Sequence, residues 1–116
     1  MEYNEIQLIM VWAGYEPLTT KPNFTGNTWS NHKADGVIAE EDLSEWNAVK
    51  KLETKMIEDA GIENIEIIYG KNTGWGKYYD LDRSGEKYTT MGRGKSELDA
   101  TLKAILNYVN NKVVKQ

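Results

Sequence analysis

The sequence contains no cysteine and only one histidine, His32. Without cysteine the chain can form neither a disulfide scaffold nor a zinc-thiolate site, and one histidine cannot supply a histidine-rich metal site. The chain also lacks an apolar run long enough to span a bilayer, and its first residues are acidic, unlike those of a signal peptide. We therefore expect a protein with no metal and no cofactor, located in the cytoplasm and not bound to a membrane.

Basic residues are scarce in the first half of the chain. Residues 1–66 carry 13 acidic and 5 basic side chains, a balance of −8, whereas residues 67–116 carry 5 acidic and 9 basic ones, a balance of +4. Duplex nucleic acid requires a continuous basic face, so we do not expect it as a partner. The acidic half instead predicts docking on the basic surface of a protein.

The length of 116 residues and the 40% hydrophobic content indicate a single folded domain. A first helix is predicted over residues 4–15. It is apolar on both faces, so it is either a self-association or partner surface, or it is covered by the loop that follows. Residues 16–41 read as a long connection, which we expect Trp29 and Phe24 to pin to the core, with a short strand near residues 28–30.

The second half of the chain has clearer periodicity. A helix is predicted over residues 42–60, with Asp42 or Ser44 as its N-cap, Glu45 completing a capping box and Gly61 as its stop. The remaining elements are strands over residues 62–69, 75–81 and 86–91 and a helix over residues 96–114. In the first of these strands Ile65, Ile67 and Tyr69 alternate with Glu66 and Ile68, so we expect them to form its buried face. The order α-loop-α-β-β-β-α predicts an α+β fold, a sandwich-like small antiparallel sheet of three to four strands packed with helices.

One glycine-rich and basic segment precedes the last helix and is the candidate site for an anionic ligand. Its glycines would let a ligand approach the backbone, its cations supply charge, and a helix starting there points free N–H groups at the same place. A nucleotide-hydrolysing P-loop is excluded because Thr89 stands where that motif needs glycine. The alternative is an ordinary β-to-α turn capped by serine. The candidate residues are Gly92, Arg93, Gly94, Lys95 and Ser96.

Two further motifs have ordinary structural explanations. Asp80, Asp82, Ser84 and Gly85 match the first half of a calcium-binding loop, but the position that needs glutamate is occupied by methionine, and a type I turn explains the same residues. The predicted hairpin tip before Trp75 could let that indole stack on a nucleotide base, although a place in the core is the alternative. No serine, histidine and acid pattern indicates a catalytic residue, so we expect no enzymatic activity.

Acidic and aromatic residues are the candidates for partner binding. An acidic run precedes the second predicted helix, where it also suits the positive end of the helix dipole. Exposed tryptophans are typical anchors of protein interfaces. The candidate partner-binding residues are Trp12, Trp29, Glu40, Glu41, Asp42, Glu45 and Trp75.

The order of features is similar to that of one known family. An apolar first helix ends near Gly14 and Tyr15, an aromatic loop contains Trp29, a tryptophan-containing helix spans residues 42–60, and a closing helix begins at residues 96–100 with a serine cap. In these features the chain resembles the small tailed-phage proteins grouped as the phage ABA sandwich domain. It departs from them in its longer loop before the second helix and its glycine-rich turns. The resemblance implies a helix-sheet-helix sandwich encoded by a phage or prophage, and no catalytic residues.

These observations predict a non-enzymatic phage or prophage accessory protein that binds and modulates a host component, such as one of antiviral defence. An alternative is a binder or sponge of a nucleotide or other anionic small molecule, through residues 92–96 and as an oligomer. A third is an accessory protein of the virion or of replication.

Overall fold

The last helix, α3 (Glu97–Val114), is the centre of the fold and contacts both other helices and two strands. The computed structural model describes residues 1–17, 28–31, 36–80 and 89–114. In this part of the chain there are three α-helices and two antiparallel sheets, which confirms the predicted α+β class. No helix formed by these residues has the length and apolar character needed to cross a membrane. The core residues of α3 are Leu102, Ala104, Ile105, Leu106 and Val109.

The C-terminal sheet consists of the strands β4 (Asn64–Gly70), β5 (Gly74–Asp80) and β6 (Thr90–Gly94). It confirms the predicted antiparallel meander, but its third strand ends three residues later than predicted. The order is β4-β5-β6, so β5 is central, with Ile67 opposite Lys77 and Lys77 opposite Gly92. Helix α3 lies mainly over β6 and less over β5, which leaves β4 at the outer side.

A second sheet lies in the segment predicted to be a long connection. The strand expected near residues 28–30 is confirmed as β2, and Trp29 on it is fully buried, as expected for a residue that pins this segment to the core. Strands β1 and β3 have two and four residues, too few to show an alternating pattern, and were not predicted. The order is β1 (Glu16–Pro17), β2 (Thr28–Asn31) and β3 (Gly36–Ala39). Phe24 lies outside the described residues.

Helix α1 (Tyr3–Trp12) ends three residues earlier than predicted. Gly14 has a left-handed backbone, with φ of 87°, and the N–H of Tyr15 donates to the carbonyl of Met10 at 2.8 Å, which closes the helix. Of the two apolar faces of this helix, the one with Ile6, Ile9 and Met10 is buried, whereas Val11 on the other face is 56% exposed.

Helix α2 (Trp46–Ala60) begins four residues later than predicted, and the capping box of Asp42 and Glu45 is wrong. A 3₁₀ turn, Glu40–Ser44, precedes it instead. The Asp42 carboxylate accepts the N–H of Ala39 at 2.9 Å and therefore caps the 3₁₀ turn. The stop at Gly61 is confirmed, since its φ is 70°.

Candidate functional site

Three of the five candidate anion-binding residues lie in a strand. Gly92, Arg93 and Gly94 form the end of β6, and only Lys95 and Ser96 connect it to α3. The prediction of a turn over all five residues is therefore wrong. Glycine and charge at this point of the sequence indicated a turn, but the strand continues because its backbone pairs with residues 75–77 of β5.

The glycines of β6 make room for α3 and not for a ligand. A Cβ on Gly92 would lie 2.1 Å from the carbonyl oxygen of Ala100 and 2.3 Å from the nitrogen of Ala104. A Cβ on Gly94 would lie 2.3 Å from the carboxylate of Asp99. The close approach that glycine permits is therefore an approach of helix to strand.

The N-terminus of α3 is capped by its own side chains. The N–H of Asp99 donates to Ser96 Oγ at 3.1 Å, which confirms the serine cap, and the N–H of Lys95 donates to Asp99 Oδ2 at 3.3 Å. Arg93 Nη2 donates to the Tyr78 hydroxyl at 3.2 Å. An anion at this helix end would have to displace the Asp99 carboxylate. Anion binding by these residues stays a prediction.

Trp29 is not a surface anchor, so its prediction as a partner-binding residue is wrong. It is fully buried, and its Nε1 donates to Gln7 Oε1 at 2.7 Å. Its ring stacks on that of Tyr3, with centroids 6.2 Å apart. The indole joins β2 to α1, and a partner cannot reach it.

The other two predicted tryptophans are half-buried. The ring of Trp12 meets the ring of Tyr108 edge-on, with centroids 5.9 Å apart. The ring of Trp75 packs against that of Tyr69, with centroids 4.9 Å apart. Each retains an exposed part, so a role of Trp12 or Trp75 in partner binding stays a prediction.

The four predicted acidic residues are not equivalent. Asp42 caps the 3₁₀ turn, and Glu40 is half-buried. Glu41 and Glu45 are exposed and lie just before α2. The structure therefore leaves these two carboxylates accessible at the entrance of that helix.

A surface that sequence reasoning missed lies beside them, and we call it the β4 surface. The sequence pattern placed Ile65, Ile67 and Tyr69 on the buried face of a strand, yet they are 40%, 46% and 62% exposed. They face the helix side of the sheet, but α3 covers β6 and β5 and does not extend over β4. The alternation identified the apolar face correctly and could not show that helices would leave it open. The β4 surface consists of Trp46, Ile65, Ile67 and Tyr69.

Trp46 is included in this surface because its ring lies close to Lys77. The Lys77 Nζ lies 5.3 Å from the centroid of the Trp46 ring, within cation-π range. Lys77 is also directly opposite Ile67 in the sheet. Trp46, which is 39% exposed, and Ile67 therefore have Lys77 as a common neighbour.

A buried cluster of charged and polar groups lies next to the β4 surface. The Lys77 Nζ is 2.6 Å from Glu53 Oε2, 3.4 Å from Glu97 Oε1 and 3.2 Å from Thr101 Oγ1. The Tyr79 hydroxyl donates to the same oxygen of Glu53 at 2.5 Å. Burial, followed by this hydrogen bond, raises the pKa of Tyr79 well above its ordinary value. Lys77 and Glu53 are only 4% and 3% exposed, so the cluster ties β5 to α2 and α3.

A polar groove of about 290 Å³ lies between β6 and the C-terminal part of α3. Its side chains are mostly neutral amides and hydroxyls, and none is titratable near neutral pH. One of them already serves the fold, since Asn107 Nδ2 donates to the carbonyl of Met91 at 2.7 Å. The lining residues are Thr89, Thr90, Met91, Asn107, Asn110 and Asn111.

Of the residues that match the first half of a calcium-binding loop, only Asp80 is in the described part of the chain, where it ends β5 and is buried. Asp82, Ser84 and Gly85 lie outside it. Among the residues with described positions, no group of three or more acidic, histidine or cysteine side chains is placed to hold a metal ion.

Comparison with known proteins finds no matching family model, no matching curated protein and no matching solved structure.

Proposed function

We propose that the protein is a non-enzymatic binding protein that acts by stoichiometric contact with another protein through the β4 surface. The observation that carries this proposal is the exposure of three large apolar side chains on one face of β4, Ile65, Ile67 and Tyr69. The exposed Trp46 ring lies 5.3 Å from the Nζ of Lys77, which is opposite Ile67 in the sheet. Exposed apolar side chains that adjoin one another are typical of interaction sites, whereas single ones are common on any surface. Tryptophan and tyrosine are also enriched among the residues that dominate binding energy.

Acidic residues at the rim indicate the charge of the partner. Glu45 directly precedes Trp46 in the chain, and both Glu45 and Glu41 are exposed. An apolar centre with a charged rim is the usual arrangement of a non-obligate interface. A partner with basic residues around an apolar patch fits this surface, and the association rate would fall as ionic strength rises.

For its biological setting, we propose a phage or prophage accessory protein that modulates a host component in the host cytoplasm, such as a complex of antiviral defence. The support for this setting is the order of sequence features shared with the phage ABA sandwich proteins. It is independent of the argument for the β4 surface.

Co-elution with purified host defence complexes tests the proposal. The Trp46→Ala and Ile67→Ser variants remove parts of the β4 surface, and Val11→Ser is the matched control, because Val11 is also exposed but lies on α1. We expect a complex with the wild type and the control and none with the two surface variants. Equal co-elution of all four proteins, or an inert wild type in every mixture, would overturn the proposal.

A further inference from the structure

Strand β4 is an outer strand of the C-terminal sheet, and one of its two backbone edges has no partner strand among the described residues. It is seven residues long and contains neither lysine nor proline, which are the residues that commonly protect such edges. Its only charged residue is Glu66. An exposed edge of this length and composition is a template for pairing with another strand.

Two hydrogen bonds show which backbone groups of β4 point outward. The N–H of Glu63 donates to the carbonyl of Asp80 at 2.9 Å, next to the paired residues Asn64 and Asp80, as in a β-bulge. The Asp80 backbone therefore points to β4. The N–H of Thr89 likewise donates to the carbonyl of Tyr79 at 2.8 Å, so the Tyr79 backbone points the other way, to β6.

Because backbone groups alternate along a strand, the even-numbered residues of β4 bond to β5. The N–H and C=O groups of Ile65, Ile67 and Tyr69 then lie along the free edge. These are also the three residues whose side chains form most of the β4 surface.

We infer that a second copy of this chain pairs with this edge, antiparallel and related by a two-fold axis at Ile67. In this register Ile67 lies opposite Ile67 of the second copy, and Ile65 lies opposite Tyr69. Every outward backbone group then has a partner, since each of these residue pairs exchanges two hydrogen bonds. The interface is self-complementary, as two-fold symmetry requires.

Charge and hydrogen bonding exclude the neighbouring registers. A shift that places Ile65 opposite Ile67 also places Glu66 opposite Glu66, and like charges directly opposite each other are destabilising. The opposite shift places Ile65 opposite residue 71, beyond the end of the strand. A shift by an odd number of residues would place the outward groups of one copy opposite even-numbered residues of the other, whose backbone groups already bond to β5. Only the pairing about Ile67 uses the whole free edge.

The pairing joins two three-stranded sheets into one and places the two β4 surfaces side by side on the same face. It therefore deepens the proposed function, because it makes the binding surface two-fold symmetric and doubles its area. It rests on the backbone edge, however, and the proposed function rests on side chains, so the two can fail separately.

Amide hydrogen exchange at several protein concentrations tests the inference on the unmodified chain. We expect a particle of twice 13.2 kDa whose amides at Ile65, Ile67 and Tyr69 become protected with the same concentration dependence. The amides of Glu66 and Ile68 are protected at every concentration, because they bond to β5. A monomer at the highest soluble concentration, with rapid exchange at the three outward amides, would overturn the inference and leave the co-elution test of the β4 surface intact.

Substitutions at Ile67, each with a control elsewhere, test the pairing. Ile67→Pro removes an outward N–H without breaking the ladder to β5, so we expect a folded monomer, whereas Ile68→Pro removes a bond to β5 and should destabilise the fold.

The natural chain lacks cysteine, so Ile67→Cys provides a single thiol that a short bifunctional reagent should cross-link between copies. Val11→Cys, at an exposed position on α1, is its control. A dimer that persists in Ile67→Pro, or equal cross-linking of the two cysteine variants, would contradict the pairing.

Discussion

Gly92 lies against the backbone of Ala100, at a place where a Cβ would come within 2.1 Å of the carbonyl oxygen of Ala100. Neither group can move alone, since Gly92 pairs with Lys77 in the sheet and Ala100 is in the first turns of α3. The contact fixes the spacing of the central helix and its strand. It depends on the absence of a single methyl group.

Gly92→Ala is therefore expected to lower the free energy of unfolding by about 3 kcal/mol, because overpacking against backbone forces the helix away from the sheet. The corresponding fall in Tm is on the order of 10 °C. Thermal unfolding followed by circular dichroism measures this. Gly70→Ala is the matched control, because its nearest neighbour is the hydroxyl end of the Thr73 side chain, which can rotate away. An equal loss in both variants would contradict the packing argument.

The long periodic elements were predictable from the sequence because their patterns repeat over several turns. The last helix, the helix that ends at Gly61 and the hairpin of β4 and β5 were all expected, and Ser96 caps α3 as predicted. The sequence also shows a glycine at position 92, which permits a close approach to the backbone. It cannot show whether the close neighbour is a ligand or the backbone of a helix, and this is why the segment was interpreted as a binding turn.

The candidate site was not predictable for a similar reason. Alternation in β4 identifies Ile65, Ile67 and Tyr69 as one face, but their exposure depends on where α3 lies, which is a property of the whole fold. Trp29 shows the converse, since the sequence suggested both a core residue and a surface anchor, and only its place in the core is confirmed. Patterns locate apolar residues, and packing decides which of them remain exposed.

Because Lys77 and Glu53 form a buried ion pair, we expect substitutions of the two residues to have non-additive effects on the free energy of unfolding. Lys77→Met leaves a buried carboxylate with Tyr79 as its nearest partner, and Glu53→Met leaves a buried ammonium group with Glu97, so each is expected to cost about 3–5 kcal/mol. The double variant removes both charges and is expected to lose less than the sum of the two, with a coupling energy of about 2–3 kcal/mol. Urea unfolding of the four proteins gives this cycle, and additive losses would show that the pair is not coupled.

Acid stability is expected to depend on Asp59, which connects α2 to the end of α3. The hydrogen bond from Lys112, and then that from Tyr108, lower the pKa of Asp59. Because the pKa is lower in the folded state, the stabilisation is present above the unfolded value of about 4 and is lost as pH falls through the folded value. Asp59→Asn should therefore lower the Tm at neutral pH and have no effect in strong acid.

Thermal unfolding of Asp59→Asn and the wild type across this pH range measures the difference. The loss should be modest and should shrink in high salt, because the partners are partly exposed and screened. Glu58→Gln, which removes an adjacent exposed carboxylate, is the control for the loss of one surface charge. A constant difference at all pH values would instead indicate a packing effect.

Asp99 provides the test of anion binding at residues 92–96. Its carboxylate accepts the N–H of Lys95 and pairs with Lys103 at 3.4 Å, so the wild type should show little thermal stabilisation by phosphate or nucleotides. Asp99→Ala frees the Lys95 N–H beside the positive end of α3 and removes a negative charge, and we expect it to gain phosphate-dependent stabilisation. An anion at 100 times its Kd would stabilise the fold by about 2.7 kcal/mol, which a thermal-shift assay detects readily.

The opposite result would establish the anion site at residues 92–96. In that case phosphate strongly stabilises the wild type, and the stabilisation is lost in Arg93→Gln and Lys95→Gln. Such a loss could not be due to the helix cap, because the side chains of Arg93 and Lys95 take no part in the hydrogen bond between Ser96 Oγ and the Asp99 N–H.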